Sequence, residues 1–225
     1  MTLLAAKETE SFAEIVEFKR IYTTLSTTFL KTKPKCLVVT SALRGEGKTT
    51  IVAGLGSTAT LQDGNRVLAV DLNWHRPALH TCFGLNPTFD AAAFREKKRL
   101  TDHVQPSGIE NLDILTATQP DKKSNRSGAE DTALGTEILK LARDNYDIVV
   151  VDAASIFPTN RNMIDPVSIS VAADGVAIAV LTKVTPRQQV KRSQKLLETA
   201  GAKLQGIIAN HWENPLFKAS PTSSK

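Results

Sequence analysis

The chain has 225 residues, enough to bury a large core in one domain, and its 41% hydrophobic and 23% charged residues exclude a fibrous or wholly disordered protein. Its longest apolar runs have strand length, far short of the roughly 20 residues that cross a bilayer. A net charge of +5 permits contact with anionic surfaces, but the basic clusters at 94–99, 121–126 and 186–192 do not demand a nucleic acid partner.

The chain opens on MTLLAAKETE, which lacks a basic segment leading into a long apolar one, so a cytoplasmic address is expected. From Ser11 to Leu30 the residues Phe12, Ile15, Val16, Ile21, Tyr22, Leu25 and Phe29 fall on one helical face, which predicts a leading helix over about 10–31. Pro34 then breaks the pattern. Six apolar runs follow: CLVVT (36–40), VLAVD (67–71), LDILTA (112–117), DIVVVDA (147–153), GVAIAVLT (175–182) and LQGIIAN (204–210). They are continuous rather than alternating, as strands covered on both faces should be. Helical composition fills 49–62, 132–143 and 186–200 between them. The alternation predicts an α/β architecture, a doubly wound, mostly parallel sheet with helices on both faces.

Residues 84–120 are less regular and read as excursions above the sheet. QPDKKSNRSGA (119–129) is breaker-rich and reads as a surface loop. The last residues, 213–225, read as a flexible tail after a domain spanning 1–212. Cys36 and Cys82 have no metal-ligand spacing and read as small buried thiols. His80, His103 and His211 show no ligand spacing either, and Trp74 and Trp212 read as packing residues.

Chemistry concentrates in three places. SALRGEGKTT (41–50) joins a strand to a helix and approximates the phosphate-binding pattern G-x-x-x-x-G-K-[ST], with Ala42 where the opening glycine stands. Gly45 and Gly47 allow a sharp turn whose amides, from Arg44 through Glu46 to Thr50, can face phosphate oxygens. Lys48 would reach the β- and γ-phosphates and Thr49 would bind Mg²⁺ at the positive end of the new helix. Ala42 is compatible if its φ is negative. Asp71 ends the second strand at the sheet edge where ligands of open α/β sheets sit; it could face the metal, or simply cap the following turn. Asp152 ends DIVVVD in the manner of a carboxylate that holds Mg²⁺ or its water shell.

The leading helix with Glu17 and Arg20, RGEGKTT, DLNWHRP, NLDILTA, YDIVVVDA and LQGIIAN, taken together from about Glu17 to Asn210, resemble the bacterial tyrosine kinases of exopolysaccharide and capsule synthesis. The resemblance implies a P-loop nucleoside triphosphate hydrolase fold that uses ATP and Mg²⁺ and phosphorylates tyrosines across a homo-oligomeric ring. It also implies a membrane-embedded polysaccharide co-polymerase, or its cytoplasmic segment, as partner at the inner face of the plasma membrane. Carried over by position, Lys48, Asp71 and Asp152 are the catalytic set. Thr49, Asp71 and Asp152 are the metal set, and Asn210 would read the base.

Departures accompany the matches. Asn73 stands where the family has a second aspartate, His75 where it has arginine, and Thr23 where its ring-forming pattern E-x-x-R-x-x-R ends. The tyrosine-rich tail is missing, because Tyr22 and Tyr146 are the only tyrosines. Two other readings stay open: an ATP-dependent switch acting on the membrane partner without transferring phosphate, and a partitioning-type ATPase. Leu43, in the place of that branch's extra lysine, disfavours the second.

Overall fold

The computed structural model describes residues 15–32, 35–118, 127–157 and 162–211. Helix α1 (Val16–Thr28) leads into strand β1 (Lys35–Ser41), helix α2 (Lys48–Asp63), β2 (Val67–Asp71), the short α3 (Leu79–Cys82) and α4 (Ala91–Lys97). A 3₁₀ turn (Leu100–Asp102), β3 (Gln105–Pro106), β4 (Leu112–Leu115), α5 (Gly128–Asn145) and β5 (Ile148–Asp152) follow. The described chain closes with α6 (Pro166–Ala172), β6 (Gly175–Leu181), α7 (Arg187–Thr199) and β7 (Leu204–Asn210).

The strands form one sheet in the order β3-β4-β2-β5-β1-β6-β7. All pairings are parallel except β3 with β4 at one edge. The continuous apolar runs of the inner strands serve two cores at once, because successive side chains point to opposite faces; LQGIIAN departs from that expectation, since β7 is an edge strand with Gln205, Gly206, Ile207 and Ala209 exposed. Cys36 and Val38 of β1, with Val149 and Val151 of β5, join the core under Ile138, Leu139, Ile169 and Leu197 of α5, α6 and α7. Leu37 and Val39, with Ile148 and Val150, join the core under Phe18 and Tyr22 of α1 and Ile51, Val52 and Leu55 of α2. The expected doubly wound sheet is therefore present.

Differences from expectation are local. Residues 127–129 do not continue a surface loop: Ser127 caps α5 and, with Glu130, forms a reciprocal capping box. Helix α6 was not anticipated, although Asp165, which accepts from the Val167 and Ser168 amides, and Pro166 at the first helical position are its start signals. Helix α4 is likewise announced only by Asp90, whose side chain accepts from Ala92 and Ala93. Cys36 is fully buried, and burial pushes its thiol pKa up to about 12. Cys82 is only partly buried, against the expectation of a second core thiol. Trp74 packs on Phe89, ring centres 5.7 Å apart, as expected. Pro34, Phe12 and the start of the leading helix, most of the 119–129 stretch, Trp212 and the tail lie outside the described residues.

Helix α2 is buried along most of its length because the sheet covers one side and α1 the other. The second contact depends on Gly54: a Cβ there would stand 2.5–2.6 Å from three ring carbons of Phe18. This close approach yields a prediction whose sign depends on background. Gly54→Ala should destabilise the protein by about 1–3 kcal/mol through overpacking, although alanine is the better helix former. In a Phe18→Ala background the same change should stabilise by about 0.5–1 kcal/mol. Urea unfolding of the four proteins of this cycle measures both, and destabilisation of equal size in both backgrounds would refute the ring contact as the cause.

Candidate nucleotide-binding site

The strand order brings the three motifs together. Strand β5 lies between β2 and β1, so Asp71 and Asp152 are register partners at the same edge, and the turn that follows β1 rises beside them. In that turn Gly45 and Gly47 have φ of 77° and 86°, the left-handed region that glycine enters without a Cβ penalty. A Cβ at Gly47 would stand 2.3 Å from the Asn210 side-chain nitrogen, which would have to shift, so the left-handed φ is the firmer reason for glycine there. Ala42 is buried and is not among the positive-φ residues, so alanine fits where the pattern has glycine.

A cavity of about 340 Å³ opens over this turn, lined by residues 44–50, by Asn73, His75 and Arg76, and by Ala154, Ser155 and Met163 across from them. Arg44, His75 and Arg76 are exposed, and the two arginines give the mouth a cationic character. Lys48 is nearly buried, its ammonium donating to the Ser41 hydroxyl at 3.0 Å. Burial lowers its pKa, while Asp152 and Glu46 pull the other way.

Beneath the cavity Asp152 has no exposed surface. Its Oδ2 accepts from the Thr49 hydroxyl at 2.5 Å, whereas Oδ1 is buried without a hydrogen-bond partner among the described residues. Burial, and then the charge of Asp71, push the Asp152 pKa up to about 7 against the opposing effects of Thr49 and Lys48. An uncompensated carboxylate oxygen next to a threonine hydroxyl suits a divalent cation, which would supply the missing partner and favour ionisation. Among the described residues no group of three or more His, Cys, Asp or Glu could hold a metal unaided. A cation here would therefore have to share its coordination with phosphate oxygens or water.

Asp71 is placed differently from Asp152. It is 1% exposed, and its Oδ1 accepts from the Asn73 amide at 3.0 Å while Oδ2 accepts from the Ala78 and Leu79 amides at 3.1 Å each. The carboxylate folds residues 72–79 back onto the strand end, which is the capping role that the sequence left open. One lone pair of Oδ1 remains for water or metal. Its pKa is raised by burial, with the three amides opposing. Asn73 turns its amide to the Arg76 carbonyl at 3.0 Å, closing the same turn.

Asn210 lies at the end of β7, its amide donating to the Glu46 carbonyl at 3.3 Å, so it reaches the loop although no cavity surface is assigned to it. Sequence reasoning missed Ser41 as the lysine's partner, and the far wall of Ala154, Ser155 and Met163. Ser41 and 154–155 adjoin recognised motifs, but Met163 carries no local signal. Both tyrosines are buried: Tyr22 donates to Asp63 at 2.6 Å and Tyr146 to Asp113 at 2.8 Å. Burial raises both phenol pKa values.

With this geometry in view, the comparisons with known proteins define a class. Residues 37–219 match the CobQ/CobB/MinD/ParA nucleotide binding domain, and the chain belongs to that family of P-loop proteins. Within it, the relatives are bacterial tyrosine kinases. Tyrosine-protein kinase YwqD of Bacillus subtilis (strain 168) is 28% identical over 195 residues, covering 86% of this chain and 79% of that one. The kinase domain of Escherichia coli tyrosine kinase ETK is similar in structure, with a TM-score of 0.72 at 22% identity over 86% of this chain and 73% of that one. The septum site-determining protein MinD of Pyrococcus horikoshii OT3, complexed with Mg-ADP, has a TM-score of 0.62 at 20% identity over 79% and 70% of the two chains. Among the described residues no helix is long and apolar enough to cross a membrane.

The buried carboxylate gives a prediction for the nucleotide-free protein. The folded state holds the Asp152 proton more tightly than the unfolded chain, whose value is about 4. This group's contribution to stability is therefore fullest below about pH 4, declines as pH rises toward the folded value of about 7, and stays low above it. Without ligand, the melting temperature should fall between about pH 4 and about pH 7 and level off above, and Asp152→Asn should flatten that fall. Identical pH profiles for the two proteins would contradict a raised Asp152 pKa.

Proposed function

We propose that the chain binds Mg-ATP over the turn 44–50 and transfers the γ-phosphoryl group to a hydroxyl of another protein, in concert with a membrane-embedded polysaccharide co-polymerase. The observation that carries this reading is the cavity lined by residues 44–50, where Thr49 donates to Oδ2 of Asp152, whose Oδ1 is buried without a partner among the described residues. Lys48 would move from Ser41 to the β- and γ-phosphates, and the amides of 45–49 would receive the phosphate oxygens. Thr49 and Asp152, with Asp71 behind them, would hold Mg²⁺, which when bound neutralises charge on the phosphate oxygens. In the transfer, the acceptor oxygen forms a bond to the γ-phosphorus as the bond to the β–γ bridging oxygen breaks. ADP leaves, and the hydroxyl proton passes to solvent. Asn210, beside the loop, is the residue assigned to the base.

The acceptor would lie outside the described fold, since Tyr22 and Tyr146 are both buried and hydrogen-bonded. Arg44, His75 and Arg76 at the mouth would face it. A cytoplasmic position at the membrane's inner face follows from the proposed partner, and the oligomeric ring of the kinases is the corresponding assembly.

A second reading, an ATP-dependent switch without phosphoryl transfer, is favoured by one observation. Asp71 already accepts three backbone amides and Asn73 cannot accept a proton at neutral pH, so among the described residues the carboxylate nearest the outer wall is largely committed to the turn.

Calorimetry with Mg-ATP tests the binding step. Lys48→Met, of similar size, should weaken affinity about 10- to 100-fold, the loss of charge-assisted hydrogen bonds worth about 1.5–3 kcal/mol. Wild-type protein that binds no nucleotide would eliminate both readings. Labelled ATP and mass spectrometry of partner segments then separate them: phosphate on the partner supports the transferase, and ATP-dependent partner binding without phosphate supports the switch.

A further inference from the structure

The side chain between the two loop glycines is engaged within the protein. Glu46 is 2% exposed, and its carboxylate is held from both sides. Oε2 accepts from the Leu43 amide at 2.8 Å, within its own loop. Oε1 accepts from the hydroxyl of Thr185, a residue 139 positions away in the turn between β6 and α7. The Thr185 oxygen in turn accepts from the Leu181 amide at 3.1 Å, so the hydroxyl is used fully, as donor and acceptor. That turn is tightly folded: the Val184 and Thr185 amides both reach the Leu181 carbonyl, at 3.2 and 2.9 Å, and Lys183 adopts a φ of 65°. It is also tied to β7, since the Thr182 amide and hydroxyl both donate to the Asn210 carbonyl, at 2.9 and 3.1 Å.

A continuous relay therefore runs from the Leu43 amide through Glu46 and Thr185 to Leu181. A neutral hydroxyl alone would not need a buried carboxylate as its partner, and a loop that only gripped phosphate would not need a link across the sheet edge. We infer that Glu46 is a positioning residue that latches the phosphate loop to the turn 181–185, so that filling the phosphate site orders that turn and Asn210 beside it. The Glu46 carboxylate acts through the Leu43 amide and Thr185. The latch would let the chain sense an occupied phosphate site at a surface where Val184 is 66% exposed, and it rests on the phosphate-binding reading above.

Magnesium tripolyphosphate, which has no base, is the discriminating probe, read by amide hydrogen exchange at saturation. In wild-type protein it should slow exchange in 44–49 and also in 181–185. Thr185→Val, close to isosteric, should confine the slowing to 44–49, and Thr185→Ser should restore it in 181–185. Glu46→Gln, which keeps an acceptor for Leu43 and a polar partner for Thr185, should behave more like wild type than Glu46→Ala. ATP affinity should fall about tenfold in Thr185→Val and by no more in Glu46→Ala/Thr185→Val than in Glu46→Ala alone. Slowing limited to 44–49 in wild type, or fully retained in 181–185 of Thr185→Val, would overturn the latch while leaving phosphate binding intact. Failure of the probe to slow any amide in 44–49 would instead remove phosphate binding, and the latch with it.

Discussion

Opposite charges held out of water at the carboxyl edge of the sheet are the constraint on which the rest of the molecule turns. Lys48 and Asp152 are both buried, and each shifts the other's protonation toward the charged form, yet neither is fully compensated. Lys48 leans on a serine hydroxyl, and one oxygen of Asp152 has no partner among the described residues. Buried charges this poorly satisfied are costly, because desolvation outweighs a distant attraction. They are tolerable when an anion and a cation are expected to fill the gap. The fold thus keeps a place whose energetics favour a ligand that brings both.

Strand order creates that place. Inserting β5 between β2 and β1 sets Asp71 and Asp152 side by side and delivers the glycine turn to the same edge. Asp71, in register with Asp152, raises the proton affinity of Asp152, and the protein answers the two carboxylates differently. Asp71 is neutralised locally by three amides and becomes part of the turn's architecture. Asp152 receives only Thr49 and retains an open oxygen. The division explains how one acidic pair can serve structure and chemistry at once.

The same logic bears on the departures from the kinase pattern. With Asn73 in place of a carboxylate, the outer wall loses a charge, while the exposed Arg44 and Arg76 keep the mouth cationic. The core is indifferent to this change, since Asn73 contributes to the turn through its backbone amide and its side-chain link to Arg76.

By itself the sequence determined the elements that depend on neighbours along the chain. The continuous apolar runs of β1, β2, β5 and β6 announce strands covered on both faces, RGEGKTT announces a turn that can face anions, and the aspartates after VLAV and IVVV mark strand ends. Short helices were legible only through their caps, Asp90 and Asp165, because seven residues carry too little periodicity to stand out. Tertiary structure alone decided which charges share a poorly solvating space. The amides of Ala78 and Leu79 that occupy Asp71, the pairing of Glu46 with Thr185 and the solitary oxygen of Asp152 all arise where the chain returns to one edge of the sheet. Hydrogen bonds and desolvation depend on distances of a few ångströms in space, and spacing in sequence does not encode those distances until the order of strands is fixed.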